Sequence, residues 1–89
     1  MEFVCSAIKI ILKNNLQIII YGKRHCDCLE QIYKLGIERD SSKDIHGFII
    51  LINNLETFAD RYNSAIIAKR LGYKLEYENI LFSEDIWPE

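Results

Sequence analysis

From Phe3 to Leu12 the chain is rich in β-branched residues, with Val4, Ile8, Ile10 and Ile11, a composition that suits a strand. Lys13-Asn14-Asn15 interrupts this run, and Leu16 to Tyr21 resumes it. The pair predicts an antiparallel hairpin closed by a short asparagine-containing loop. The unbroken Ile18-Ile19-Ile20 points to a strand buried on both faces, by the fold or by a partner. Gly22 breaks that strand. From about Cys26 to Leu35 the period changes, with Leu29, Ile32 and Tyr33 at the i, i+3, i+4 spacing of a helix. Gly36 stands where a glycine ends one. Ile37 to His46 is polar and reads as a loop. Gly47 to Ile52 is a third strand, and Asn53-Asn54 is a second turn.

Thr57-Phe58-Ala59-Asp60 has the form of a helix start, with Thr57 as the cap and Asp60 three positions on. The helix should run through Ala65 and Ala68 to Leu71 and stop at Gly72. Ala65, Ala68 and Gly72 make a line of small residues suited to close packing. Tyr73 to Phe82 reads as a short strand, and Ser83 to Trp87 as a compact tail. The pattern is ββαβα plus a C-terminal tail: a small antiparallel sheet with two helices, of the α+β class, with residues 1–89 as a single domain.

Length and composition add one constraint to this picture. The chain has 89 residues, 49% of them hydrophobic and 27% charged, so it should fold. A chain of this size buries only about 60–65% of its unfolded surface, and small folds compensate with disulfides, a metal or self-association. The cysteines are three, Cys5, Cys26 and Cys28, an odd set with one close pair and a poor disulfide framework. Self-association is then the compensation left, and the isoleucine run and Trp87 both favour burial by a neighbouring subunit.

Charge narrows the partners. The net charge of −2 and pI near 5.7 argue against binding to long nucleic acid. No base follows Lys74, whereas Glu76, Glu78, Glu84, Asp85 and Glu89 do. The start lacks the basic segment of a secretory signal, and no apolar run approaches the ~20 residues that span a bilayer. The expectation is a cytoplasmic, reduced protein with no membrane association.

Candidate chemistry sits in four places. Gly22-Lys23-Arg24-His25 joins a strand to a helix start, where an arginine fork, a lysine charge and free amides favour a phosphate; a solvated turn with two surface bases is the simpler account of four residues. His25, Cys26 and Cys28, with His46 elsewhere, are residues zinc accepts, but Cys-x-Cys places its sulfurs about 200° apart on a helix. Cys26 beside bases at a helix start has the setting of a lowered thiol pKa, and two ordinary helix residues are the simpler account. Asp60-Arg61 offers an acceptor for a ribose hydroxyl and a donor for phosphate, and Phe48 or Phe58 offers a face for a base, although core packing explains each ring alone. Leu81 to Trp87 is an apolar–acidic segment in which Ser83 can reach a ligand. No Gly-x-Ser-x-Gly, His-Glu-x-x-His, P-loop or GxGxxG is present, so binding without turnover is the simpler reading, with no catalytic residue, metal or cofactor.

The order of these segments carries more than any one of them. Gly22-Lys23-Arg24-His25-Cys26-Asp27-Cys28, then Gly47-Phe48, then Phe58-Ala59-Asp60-Arg61 with Ala65 and Ala68, then Leu81-Phe82-Ser83-Glu84-Asp85-Ile86-Trp87 resembles the first type of phage Thoeris anti-defence protein. Those proteins are sponges that sequester cyclic ADP-ribose signals. The resemblance spans about residues 17–87 as separated short motifs. It implies a non-enzymatic protein of the infected host cell that holds a cyclic ADP-ribose isomer intact and so blocks Thoeris or CBASS effectors. It also implies a homo-oligomer, dimer or hexamer, with cyclic trinucleotides at separate sites in some members. Carried over by motif, Phe48 would stack on a base, Asp60 and Arg61 would face ribose and phosphates, and Arg24 and His25 would contact phosphate. Ser83 and Asp85 would contribute from the tail, and Phe58 from its motif.

The sequence departs from that pattern between Phe48 and Phe58, where Ile49 to Thr57 lacks a glycine turn. Ala59 replaces a bulkier residue, Asp60 stands where some members carry asparagine, and Tyr62-Asn63-Ser64 lacks an acidic pair. These departures bear on the ligand rather than on the fold. Two other readings stand beside the sponge: a small inhibitor that docks on a host protein, and a cyclic-nucleotide phosphohydrolase.

Overall fold

In the computed structural model, which describes residues 1–88, inward- and outward-facing residues alternate along four antiparallel strands. These are β1 (Glu2–Ile11), β2 (Gln17–Gly22), β3 (Ile45–Ile52) and β4 (Leu55–Asp60), in the spatial order β2-β1-β3-β4. Helix α1 (His25–Lys34) packs on β1 and β2, and α2 (Arg61–Arg70) packs on β3 and β4. A short α3 (Ser83–Ile86) closes the described chain. The architecture is the α+β class that the hydrophobic pattern predicts. Among the described residues, no helix is long and apolar enough to cross a membrane. Glu89 lies outside the described residues.

The register explains which side chains meet. Ser6 pairs with Phe48, Ile8 with both Ile20 and His46, and Phe3 with Ile50, so these share the helix-side face of the sheet. A bulge between Phe3 and Cys5 supplies the extra residue that lets Phe3 and Ser6 face the same way. Two core clusters result. One joins Phe3, Phe48 and Ile50 to Ala65, Ala68, Leu81 and Ile86; the other joins Ile8, Ile10 and Ile20 to Cys28 and Ile32. Alanine at two buried positions of α2 lets that helix lie close on the sheet.

The opposite face carries no helix. Ala7 and Ile49 are nevertheless buried there, opposite Tyr21 and Phe58 in register. Tyr21 donates its hydroxyl to Glu56 at 3.1 Å, and the Lys9 ammonium sits 4.9 Å from the centre of the Phe58 ring.

Both main helices end in the same way. The amides of Gly36 and Ile37 bond back to the carbonyls of Tyr33 and Ile32, and those of Gly72 and Tyr73 to Lys69 and Ala68. This is the Schellman arrangement, and the left-handed φ of Gly36 (62°) is the one the sequence position predicts.

Two expectations are corrected, and a third is narrowed. The segment Leu55–Asp60 is a fourth strand, not the start of a helix, and Thr57 is not a cap. Asn53 and Asn54 both take positive φ, which makes a tight hairpin and feeds Leu55 straight into pairing with Ile52. The cap of α2 is Asp60, whose carboxylate accepts the amide of Asn63 at 2.8 Å. Tyr73 to Phe82 forms no strand; within it Tyr77 and Ile80 make a single isolated bridge. In β2, an edge strand, Ile18 and Ile19 stay 37% and 36% exposed while Ile20 is buried, so the fold itself does not bury the isoleucine run on both faces.

Candidate functional site

Gly22 ends β2 in contact with the start of α1, where a Cβ would lie 2.8 Å from the Cys28 sulfur. Arg24 occupies the cap position, and its amide donates to Asp27 at 2.9 Å. The next residue, His25, therefore turns into the fold rather than out of it, and it is 8% exposed. Its Nε2 lies 2.8 Å from the carbonyl oxygen of Gly47. A carbonyl only accepts, so Nε2 carries the ring proton and Nδ1 presents a lone pair. That lone pair faces the hydroxyl of Ser83 at 3.0 Å and Nη2 of Arg61 at 3.3 Å. Ser83 in turn lies 2.8 Å from the hydroxyl of Ser6.

The His25 ring stacks on His46 at 5.3 Å and meets the edge of Phe48 at 5.1 Å. Burial pushes its pKa down to about 4, and the charge of Arg61 and the neighbouring His46 push the same way, against the Gly47 bond and Glu84. His25 is neutral at pH 7. Burial and Arg61 also lower His46.

Arg61, the first residue of α2, forms one wall of an open cleft of about 450 Å³, lined also by Asp44, His46, Asp60, Tyr62, Ile80 and Phe82. Its guanidinium stands 4.9 Å over the Phe82 ring. Its Nε is buried without a hydrogen-bond partner, as is Nδ1 of His46. Burial lowers the Arg61 pKa while Glu84 and Tyr62 oppose the shift; a guanidinium keeps its charge at neutral pH regardless. Across the cleft, Arg39 grips Asp44 through Nε and Nη2, the latter at 2.7 Å, so that carboxylate is already satisfied. What the cleft offers is a cation with an unpartnered N–H, the Asp60 carboxylate with one oxygen on the Asn63 amide, and aromatic and apolar walls. That combination suits a small ligand bearing an anion, a flat group and hydroxyls.

The residues singled out by the sequence divide into groups. Asp60 and Arg61 line the cleft. His25 and Ser83 stand behind Arg61, buried, and reach it rather than the open space. Arg24 has a buried Nη1 without a hydrogen bond, 3.5 Å from Glu84. Asp85 accepts the amides of Phe82 and Glu76 at 3.0 and 3.3 Å, which is a capping role. Phe48 is wholly buried, with rings of Phe3, His25 and Trp87 against it, so it presents no face to the cleft. Phe58 lies on the far side of the sheet, under Lys9. Asp44, His46, Tyr62, Ile80 and Phe82 were not singled out as ligand contacts. Phe82 lies inside the quoted Leu81–Trp87 motif, and His46, Tyr62 and Ile80 each adjoin a quoted motif; that placement is the signal that could have found them.

The cysteines take no part. Cys26 is exposed and Cys28 buried, and all three are free. Burial pushes the Cys28 thiol up to about 11. Among the described residues, no group of three or more His, Cys, Asp or Glu is placed to hold a metal ion.

In comparisons with known proteins, the family model described as phage T4 y16D protein matches residues 2–87. No curated protein and no solved structure matches the chain.

Proposed function

Because the chain belongs to the phage T4 y16D protein family, we propose that it is a phage-encoded binding protein whose cleft at Arg61 holds a small nucleotide signal without cleaving it. The observation that carries this reading is the Arg61 guanidinium, set over Phe82 and held on His25, with its buried Nε–H left unpartnered in the wall of a cleft that Asp60 also lines. A buried unpaired donor is unfavourable by roughly 1–3 kcal/mol, and an anionic ligand would relieve it.

The finer reading follows the motif resemblance. The ligand is a cyclic ADP-ribose isomer, the consequence is that a Thoeris or CBASS effector stays unactivated, and the setting is the cytoplasm of an infected cell. The Ser83–His25 pair resembles a nucleophile and base, yet both side chains are buried and engaged, which favours holding over hydrolysis. The reading includes a homo-oligomer, dimer or hexamer, for which the exposed Ile18, Ile19 and Tyr21 offer apolar surface, and cyclic trinucleotides at a second site involving Arg24.

Calorimetry against a panel of cyclic ADP-ribose isomers and cyclic trinucleotides tests it, followed by heating the complex and recovering the ligand. Intact ligand is expected. A cleaved product would make the protein a phosphohydrolase, and no heat with any member would leave a protein-docking inhibitor. Sedimentation at several concentrations tests the assembly; a monomer throughout would remove it.

A further inference from the structure

The buried hydroxyls of Ser6 and Ser83 do not line the cleft, yet they stand directly behind the imidazole that meets Arg61. With the ring proton of His25 fixed on Nε2 by Gly47, the Ser83 hydroxyl donates to Nδ1. Its proton is then committed, and the Ser6 hydroxyl, 2.8 Å behind it, also donates to the Lys23 carbonyl at 3.2 Å, so the one proton of Ser6 is shared between two acceptors. The bonds that bear on Arg61 run in one direction, Ser83 to His25 and His25 to the Gly47 carbonyl, with Ser6 behind Ser83. An arginine offers donors and no acceptor. The inner edge of Arg61 therefore needs an acceptor, and Nδ1 supplies one only in this tautomer; the other would set an N–H against Nη2.

The segment that brings Ser83 holds Arg61 in two further ways. The amide of Leu81 donates to the Arg61 carbonyl at 3.2 Å, and the Phe82 ring lies under the guanidinium. Next along, Glu84 stands close enough to act on the charge of both Arg61 and His25. Trp87 anchors the end of the same segment against Phe48, with ring centres 6.2 Å apart.

We propose that Ser83, backed by Ser6, is a positioning residue that holds the His25 ring with its Nδ1 lone pair toward Arg61, so that Arg61 is aimed across the cleft and anion binding there depends on the seated segment 81–87. This rests on the reading of the cleft as an anion site. A purely structural role for the serines would be served as well by an apolar pair of the same size; the proposal differs in tying them to the state of Arg61.

The test uses nitrogen-15 labelled protein, the full chain, with inorganic pyrophosphate as the probe. In the wild type, His25 Nδ1 should resonate as an unprotonated nitrogen and Nε2 as a protonated one, and the Arg61 Nε–H should give a slowly exchanging signal. Ser83→Ala should keep the far-ultraviolet circular dichroism, shift the Trp87 fluorescence, speed Arg61 Nε–H exchange and weaken pyrophosphate binding about tenfold, the effect of one hydrogen bond to a charged group. His25→Asn, which keeps an acceptor near the Nδ1 position, should retain more affinity than His25→Gln, which replaces the Nε2 donor instead. A proton on Nδ1 in the wild type overturns the proposal without any variant. So does a folded Ser83→Ala protein with unchanged Arg61 exchange. Failure of the wild type to bind pyrophosphate would instead remove the anion-site reading, while the tautomer and exchange measurements still decide the positioning.

Discussion

The imidazole of His25 donates from Nε2 to the carbonyl oxygen of Gly47 at 2.8 Å, and so pins the first turn of α1 to the third strand of the sheet. Glycine is required at the receiving end. A Cβ at Gly47 would overlap the carbonyl oxygen of Ala59 and come within 2.8 Å of the Phe58 ring.

Gly47→Ala should therefore destabilise the protein by about 3 kcal/mol or more, because backbone of β4 has to yield. Urea denaturation measures it. A loss below ~1 kcal/mol would mean that β3 and β4 can separate without consequence for the rest.

The same histidine predicts acid sensitivity. Its folded pKa near 4 lies below the ordinary 6.5, so below pH 6.5 the unfolded chain binds a proton that the fold refuses. Stability should be level above pH 6.5 and fall as pH drops toward 4, by an amount of the order of 3 kcal/mol. His46, lowered in the same direction, adds to the slope. Denaturation midpoints between pH 7.5 and 4.5 provide the check, and a flat wild-type profile would contradict a buried neutral imidazole.

Arg39 and Asp44 form the least exposed ion pair of the described residues, with side chains 16% and 6% exposed. Removing either partner strands the other, so Asp44→Ala and Arg39→Ala should each lose about 2–4 kcal/mol. The double variant should lose clearly less than the two single losses added together. A thermodynamic cycle with a coupling near zero would show that the pair is not closed in solution.

Binding and stability should separate at two residues that the motif resemblance treats alike. Arg61→Ala should weaken ligand binding at least tenfold while the fold persists. Phe48→Ala, by contrast, should destabilise by about 3–5 kcal/mol, as loss of a core ring does. Phe82→Ala belongs with Arg61, since it removes the ring beneath the guanidinium. Phe48→Ala with intact stability and lost binding would return Phe48 to the site.

Local signals in the sequence located the elements well where the signal is itself local. Gly36 and Gly72 end their helices because only the residue at that position needs a positive φ. Leu55–Asp60 misleads because Thr57 and Asp60 have the spacing of a cap, and that preference yields to six residue pairs with β3. Tyr73 to Phe82 has strand-like composition but finds no edge; Leu81 is strapped to Arg61 instead. At the site, Asp60 and Arg61 were visible as a motif. The roles of His25 and Ser83 were not, because each is set by a partner far along the chain, Gly47 or Ser6. Phe48 shows the limit most clearly: a ring next to a motif glycine reads as a stacking face until the sheet places it under Trp87.

The outer edge of β2 has a consequence for handling the protein. Gln17 to Tyr21 carries no charge and no proline, the two guards that edge strands commonly use. Gln31 claims the Tyr21 carbonyl with its side-chain amide at 2.6 Å, which blunts one end of the strand and leaves the isoleucines beside it unguarded. A short, uncharged, isoleucine-rich ribbon is the kind of template on which identical segments stack into cross-β fibrils. Lysine at Ile19, on the open face of that ribbon, is therefore the substitution that should extend the shelf life of concentrated stocks.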